Sequence, residues 1–247
     1  MKTHFECIPC IINSYLRLVE TNVIPESRQD AILRQLLKYL SRVDYNQSPP
    51  MLGRTLQRLI RESLHDSDPY HQLKQKYNHM MLELYPSFKE IVDSSEDSFD
   101  TAMRLAIAGN VIDFGAKYQF DIMENINRVM EHKLAIDDSR ELRQDLKFAH
   151  TLLYVGDNCG EIVLDKLFLE SISLPQKYFV VRESPVINDV TSDDAKMTGI
   201  DKTATVISTG DDSPGAVWES TSKDFKDHFI NADVVISKGQ GNLEGLI

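Results

Sequence analysis

After His150 the chain carries four short apolar runs: LLYV (152–155), YFVV (178–181), ATVIS (204–208) and DVVIS (233–237). β-branched and aromatic residues fill them, and segments long enough for helices lie between them. Continuous apolar runs of this length fit strands buried on both faces, and strands alternating with helices build a parallel sheet. The expected architecture is α/β, with a helical N-terminal region over residues 1–150 and an α/β core over 151–247 whose sheet is mainly parallel.

The first 150 residues read as helical. From Pro9 through Val19, the residues Ile12, Tyr15, Leu16 and Val19 share one face. A second pattern spans 27–40, with Ser27 as N-cap and Ile32, Leu33, Leu36 and Leu37 inside. Pro49-Pro50 reads as a break. Further helices are expected over 51–64, 69–84, 98–117 and 122–133, and 136–146 reads as a connector or an exposed helix. There is no internal repeat and no low-complexity segment.

A net charge of −11 argues against general affinity for nucleic acid or for an anionic membrane. It leaves room for an anionic substrate, because a bound cation reverses the local field. MKTHFECIPC lacks the apolar core of a signal peptide, and no apolar run is long enough to span a bilayer. Three cysteines make no disulfide framework, so a reducing cytoplasm is expected.

Each apolar run ends in a polar cluster: Gly156-Asp157-Asn158; Arg182-Glu183 leading to Asn188-Asp189; Thr209-Gly210-Asp211-Asp212; and Lys238-Gly239-Gln240-Gly241-Asn242. Ligands of open parallel sheets sit at the carboxyl ends of the strands, so the four clusters should converge on one crevice. Asp157 and Asn158 supply hard oxygen donors suited to Mg²⁺ or Mn²⁺. Alone, the pair reads first as a strand-to-helix turn with an N-cap. The stretch 184–196 adds Asn188, Asp189, Asp193 and Asp194, which read either as ligands or as a solvated loop with a helix cap. TGDDSPG (209–215) is turn chemistry first and substrate contact second. Lys238 stands among glycines, where Gly239 and Gly241 allow close backbone approach to a phosphate and the lysine offers it a point charge. The spacing of a Walker A loop is absent.

In combination, GDNCGE (156–161), NDVT (188–191), KGQGN (238–242), AGNVIDFG (108–115) and CIPC (7–10) resemble the DUF89 family, also called damage-control phosphatases or the ARMT1-like family. The CxxC start is similar to its prokaryotic and archaeal branch. The resemblance covers essentially the whole chain. It implies a Rossmann-like core and a metal-dependent phosphatase acting on sugar phosphates and other small phosphorylated metabolites, with Mg, Mn, Co or Ni as the divalent cofactor. It places the metal ligands on Asp157, Asn158 and Asp189 and the phosphate-contacting lysine on Lys238, the four residues that would carry catalysis. It brings Asn110 and Asp113 to the same crevice, and carries over Glu161, Arg182, Asn188 and Asn242 as substrate-binding positions. Asp193 and Asp194 are candidates for the base. Members usually continue beyond KGQGNLE with another helix and often a strand, so an end at Ile247 reads as natural, processed or truncated, and truncation would remove part of the sheet and one wall of the site.

Cys7 and Cys10 stand three apart, and on a helix they share a face; with His4 they could bind a metal. A buried structural role is the stronger expectation. Cys159 lies inside GDNCGE, where oxidation would affect the site. Two competing functions follow from the residues: an S-adenosylmethionine-dependent methyltransferase, weakened by the lack of GxGxxG after the first strand, and a non-catalytic metal- or thiol-sensing protein built on Cys7 and Cys10.

Overall fold

The computed structural model describes residues 1–110 and 119–247, so Asp113 lies outside the described residues. The N-terminal helices are α1 (Cys7–Glu20), α2 (Glu26–Leu40), α3 (Pro49–Leu64), α4 (His71–Ser94), α5 (Ser98–Gly109), α6 (Gln119–Glu131) and α7 (Ser139–Phe148). Departures from the sequence reading have physical causes. Pro49-Pro50 opens α3 rather than breaking the chain, because a first-turn residue needs no N–H. Pro25, in extended conformation, caps α2, and Ser27 falls within its first turn. Helix α4 passes through Pro86 and continues to Ser94. An interior proline costs about 3 kcal/mol, and the buried Phe88 and Val92 beyond it offset that cost. Helix α5 ends at Gly109 with Asn110 as its C-cap, and the rest of the helix expected over 98–117 lies outside the described residues.

The second half is β1 (Thr151–Val155), α8 (Glu161–Ser171), β2 (Gln176–Val181), α9 (Ser192–Thr198), β3 (Thr205–Ser208), α10 (Lys223–Asn231), β4 (Val234–Ser237) and α11 (Gln240–Leu246). The described strands form one sheet in the order β3-β2-β1-β4, every pair parallel. Leu153 of β1 stands level with Tyr178 of β2 and Val235 of β4. Successive strand residues point to opposite faces. Leu152, Tyr154, Phe179 and Val181 join a large core with α4, α5 and α8, whereas Leu153, Val155 and Val180 join a smaller one with Phe225 and Ala216. The runs are continuous because both faces are covered.

The large core crosses residue 150: Met81 and Leu105 pack in the same cluster as Tyr154 and Leu164. A separate cluster belongs to α1–α3, with Tyr15, Ile32, Leu36, Leu56 and Ile60 at its centre. A charged clasp ties α3 to the loop after β3. Arg54 donates to Asp211 at 2.7 Å, Arg58 to Asp212 at 2.6 Å, and Arg61 to Asp212 and to the Pro185 carbonyl. The 209–215 loop therefore anchors the helical part. Among the described residues no helix is long and apolar enough to cross a membrane.

Candidate active site

Asp157 and Asn158 follow β1, and Asp189 lies in the loop after β2. The two loops pair as a short antiparallel bridge: the Cys159 N–H donates to the Asn188 carbonyl at 2.8 Å and the Val190 N–H to the Asp157 carbonyl at 2.9 Å. A tight turn delivers Asp189, closed by its N–H donating to the Val186 carbonyl at 3.0 Å. Inside it Ile187 adopts φ +43°, a left-handed conformation that a β-branched residue takes only under strain, at a cost of order 1–3 kcal/mol.

Around these loops the acids are crowded. The two N–H bonds of the Asn158 amide go to Asp157 Oδ2 at 2.8 Å and Glu161 Oε2 at 3.1 Å, which turns the amide carbonyl away from both acids. Asn110 reaches within 3.5 Å of both oxygens from the end of α5. Burial pushes the Asp157 carboxyl well above the usual carboxylate range, and the charges of Asp189 and Glu161 push it further. Burial also raises Asp189, against the pull of Arg182. Arg182 is itself buried. Its Nε donates to Asp189 Oδ2 at 2.7 Å and its Nη2 to Asn242 Oδ1 at 2.9 Å.

Gly239 lies against this cluster. With φ +80° and ψ 159°, it occupies a region open essentially to glycine alone. A Cβ there would fall 1.9 Å from Asp157 Oδ2. Gly241 packs closely on the loop after β3, where its Cβ would meet the Pro214 carbonyl at 2.5 Å.

Three of the expected substrate contacts serve as braces in the structure. Asn242 is fully buried, and its amide is spent on Arg182, the Ala216 N–H at 2.7 Å and the carbonyls of Gly156 and Lys238. Arg182 has no exposed face to offer. Glu161, also fully buried, accepts from Asn158, Asn110 and Lys238. Lys238 differs most from expectation. Its ammonium donates to Glu161 Oε1, to Asp165 Oδ1 at 2.8 Å and to the Ala106 carbonyl at 2.8 Å. All three N–H bonds are used, so the lysine neutralises α8 instead of presenting a free charge to the crevice. Asp165 also accepts from the Tyr154 hydroxyl at 2.6 Å. Burial, helped by the Glu161 charge and opposed by Lys238, raises its carboxyl to about 6. Asp194 caps α9 and pairs with Lys74 and Asn78, while Asp193 is exposed on the same helix, so neither stands at the cavity as a base.

Residues 3–247 match the family described as the damage-control phosphatase ARMT1-like domain. The chain belongs to that family. The damage-control phosphatase PH1575 of Pyrococcus horikoshii is 35% identical over 256 residues, spanning 100% of this chain and 86% of that protein. The uncharacterized protein MJ0202 of Methanocaldococcus jannaschii is 34% identical over 250 residues, 98% of this chain and 82% of that one. The crystal structure of PH1575, a DUF89 family protein, superposes with a TM-score of 0.90 at 34% identity, covering 100% of this chain and 87% of that one. Relatives named damage-control phosphatase support a phosphatase.

In this damage-control phosphatase fold, Asp157, Asn158, Asn188 and Asp189 line a cavity of about 460 Å³ together with residues of α1 and α3. Cys7 and Cys10 line it too. They are half-buried and exposed, so they are not the buried structural cysteines expected. Among the described residues no three His, Cys, Asp or Glu side chains are grouped to hold a metal. Cys159 is buried, and burial pushes its thiol up.

The sequence reading missed Asp165 and Gln57. The signal for Asp165 was present: in EIVLDKLFLE two acids stand four apart on one face of an otherwise apolar helix. Gln57 had a fainter signal, a polar residue beside Leu56 and Ile60 on the apolar face of α3.

Proposed function

We propose that this chain is a divalent-metal-dependent phosphatase that hydrolyses phosphomonoesters of small metabolites such as sugar phosphates. The observation that carries the reading is the surplus of acid at the strand ends. Asp157, Asp189, Glu161 and Asp165 face two cations, Arg182 and Lys238. Two negative charges remain uncompensated when all are ionised, and of the four acids Asp157 and Asp189 line the cavity that must admit a dianionic phosphate. Two carboxylates and an outward-turned amide carbonyl are the donor set of a hard divalent cation.

Asp157, Asn158 and Asp189 would hold the ion. A bound divalent cation supplies Lewis-acid polarisation of a phosphoryl oxygen and eases ionisation of water near neutral pH. The protein's own contribution is orientation. Arg182 and the Gly215 N–H fix Asp189 Oδ2. Glu161 fixes the Asn158 amide, and Lys238 keeps Glu161 in place. Gly239 leaves the space that the Asp157 carboxylate occupies. Such supporting contacts are commonly worth 10–100-fold in metal affinity or activity.

The test is turnover of hexose phosphates by chelator-treated protein resupplied with Mg²⁺, Mn²⁺, Co²⁺ or Ni²⁺ in turn, with calorimetry of metal binding to the parent and to Asp189→Asn. Turnover that ignores chelation, with no metal bound by the parent, would overturn the reading. No structural observation favours the methyltransferase or the thiol sensor.

A further inference from the structure

The cavity holding Asp157, Asn158 and Asp189 takes one whole side of its wall from the helical part, including Ile11 and Ser14 of α1 and Leu52, Leu56 and Gln57 of α3. If the phosphoryl group sits at the acidic loops, the group it is attached to must lie against this wall. Most of the wall is apolar, and its charged members, His4 and Glu6, are exposed. Gln57 is different. Its residue is only 2% exposed, and its side-chain carbonyl accepts the hydroxyl of the equally buried Tyr70 at 2.8 Å. That bond sets the orientation of the amide. Its NH₂ has no hydrogen-bond partner among the described residues, and it is not among the sealed-off polar atoms that lack one. A donor pair, held by a buried phenol, is thus offered to the cavity. Gln57 also lines a second cavity of about 430 Å³, whose wall includes Tyr70, Ser14, Ile187 and Asn188. It stands where the two meet.

We infer that Gln57 is a specificity-determining residue that donates hydrogen bonds to an oxygen of the leaving group, so that the site selects oxygen-rich, polyhydroxylated phosphoesters over aryl or alkyl ones. Tyr70 is its positioning residue. This inference rests on the phosphatase reading above. A donor left idle in a buried site penalises a leaving group without a matching oxygen, whereas one that supplies the oxygen gains the bond. Of the neighbouring polar groups, Ser14 spends its hydroxyl hydrogen on the Cys10 carbonyl at 3.1 Å, and Asn188 belongs to the acidic loop on the phosphoryl side of the cavity.

The experiment compares kcat/KM for glucose 6-phosphate with kcat/KM for p-nitrophenyl phosphate, using metal-loaded full chain. Gln57→Leu should lower the ratio of the two about tenfold, the loss of one neutral hydrogen bond, and the change should appear chiefly in KM for the sugar phosphate. Because Gln57→Leu strands the Tyr70 hydroxyl, the double variant Gln57→Leu/Tyr70→Phe removes both partners and should fold with the same lowered ratio. Calorimetry supplies a readout independent of turnover: the affinity for glucose 6-phosphate relative to inorganic phosphate should fall by a similar factor. An unchanged ratio in the folded double variant overturns the inference. So does a parent that binds glucose 6-phosphate no more tightly than inorganic phosphate. A parent that binds both but hydrolyses neither ester overturns the phosphatase reading instead, and the calorimetric ratio still decides the role of Gln57.

Discussion

Replacing Gly239 by alanine should separate the position of one carboxylate from the stability of the fold. The added Cβ would lie 1.9 Å from Asp157 Oδ2 and 2.4 Å from its Cγ, where contact below 3.0 Å is not tolerated. The carboxylate must therefore retreat by about 1 Å, or the backbone must move. Backbone movement is opposed because Lys238, one residue earlier, donates its N–H to Val155 at 3.0 Å, and the Asn242 amide holds the Lys238 carbonyl. The region around φ +80°, ψ 159° itself costs a non-glycine residue of order 1–3 kcal/mol. A misplacement of about 1 Å in a reacting constellation can cost about 100-fold in rate.

Gly239→Ala should accordingly unfold about 1–3 kcal/mol more easily and lose about 100-fold in kcat/KM for a sugar phosphate at saturating divalent metal. Gly199→Ala is the control. Its φ is +74°, but its Cβ meets only the flexible Lys166 end at 3.5 Å, at the far end of α9. With ψ 21° it lies in the left-handed helical region, so alanine there should carry a smaller backbone strain and no loss of rate. Chemical denaturation and phosphate release, measured on both variants, make the comparison. A Gly239→Ala enzyme within about threefold of the parent in kcat/KM would refute the reasoning, because Asp157 could not then have needed that space.

Three further outcomes follow from the buried charges. Lys238→Ala leaves Glu161 and Asp165 without their cation, so it should cost about 3–5 kcal/mol in urea unfolding; a loss of turnover at parental stability would contradict the pairing seen here. Asp165 keeps a proton up to about 6 in the folded state, whereas the unfolded chain releases it near the ordinary aspartate value of about 3.9. Unfolding free energy should therefore fall as pH rises between those values, and Asp165→Asn should flatten that part of the profile; equal slopes in both proteins would be the contrary result. Asp212→Ala removes the acceptor shared by Arg58 and Arg61, with a cost of about 1–3 kcal/mol and easier protease cleavage between α3 and the 209–215 loop; unchanged cleavage would show that the clasp does not hold the helical part.

The sheet was legible because its signal is local. Four continuous apolar runs, each bounded by polar residues, carry their own evidence of two-sided burial, and all four became strands in parallel register. Helix ends were less legible where two local rules compete. Pro49-Pro50 can stop one helix or start another, and only the position of the next apolar turn decides between them. Pro86 breaks the local rule outright, and α4 survives because Phe88 is buried against other elements, which no local window contains. The boundary expected at residue 150 followed a change of texture from helix to strand. The large apolar core ignores that change, because α4 and α5 cover the same sheet face that α8 does.

The site was legible in membership and less so in pairing. Asp157, Asn158 and Asp189 could be gathered from topology, since each follows a strand and parallel strands end on one side. What a charge binds is another matter. Lys238 among glycines has the composition of a phosphate contact, yet its ammonium is claimed by Glu161 and Asp165, two acids spaced one helical turn apart on α8. Arg182 is claimed in the same way by Asp189 and Asn242. Counting types of residue at the strand ends suggests a site with cations ready for an anion. Following these two cations to their partners reverses that conclusion: Lys238 and Arg182 are paired inside the protein, and Asp157 and Asp189 face the cavity. Under the function proposed above, a phosphatase with this arrangement would depend on an added cation for attraction as well as for chemistry. That dependence comes from the pairing of buried side chains, not from the presence of Asp157 and Asn158 alone.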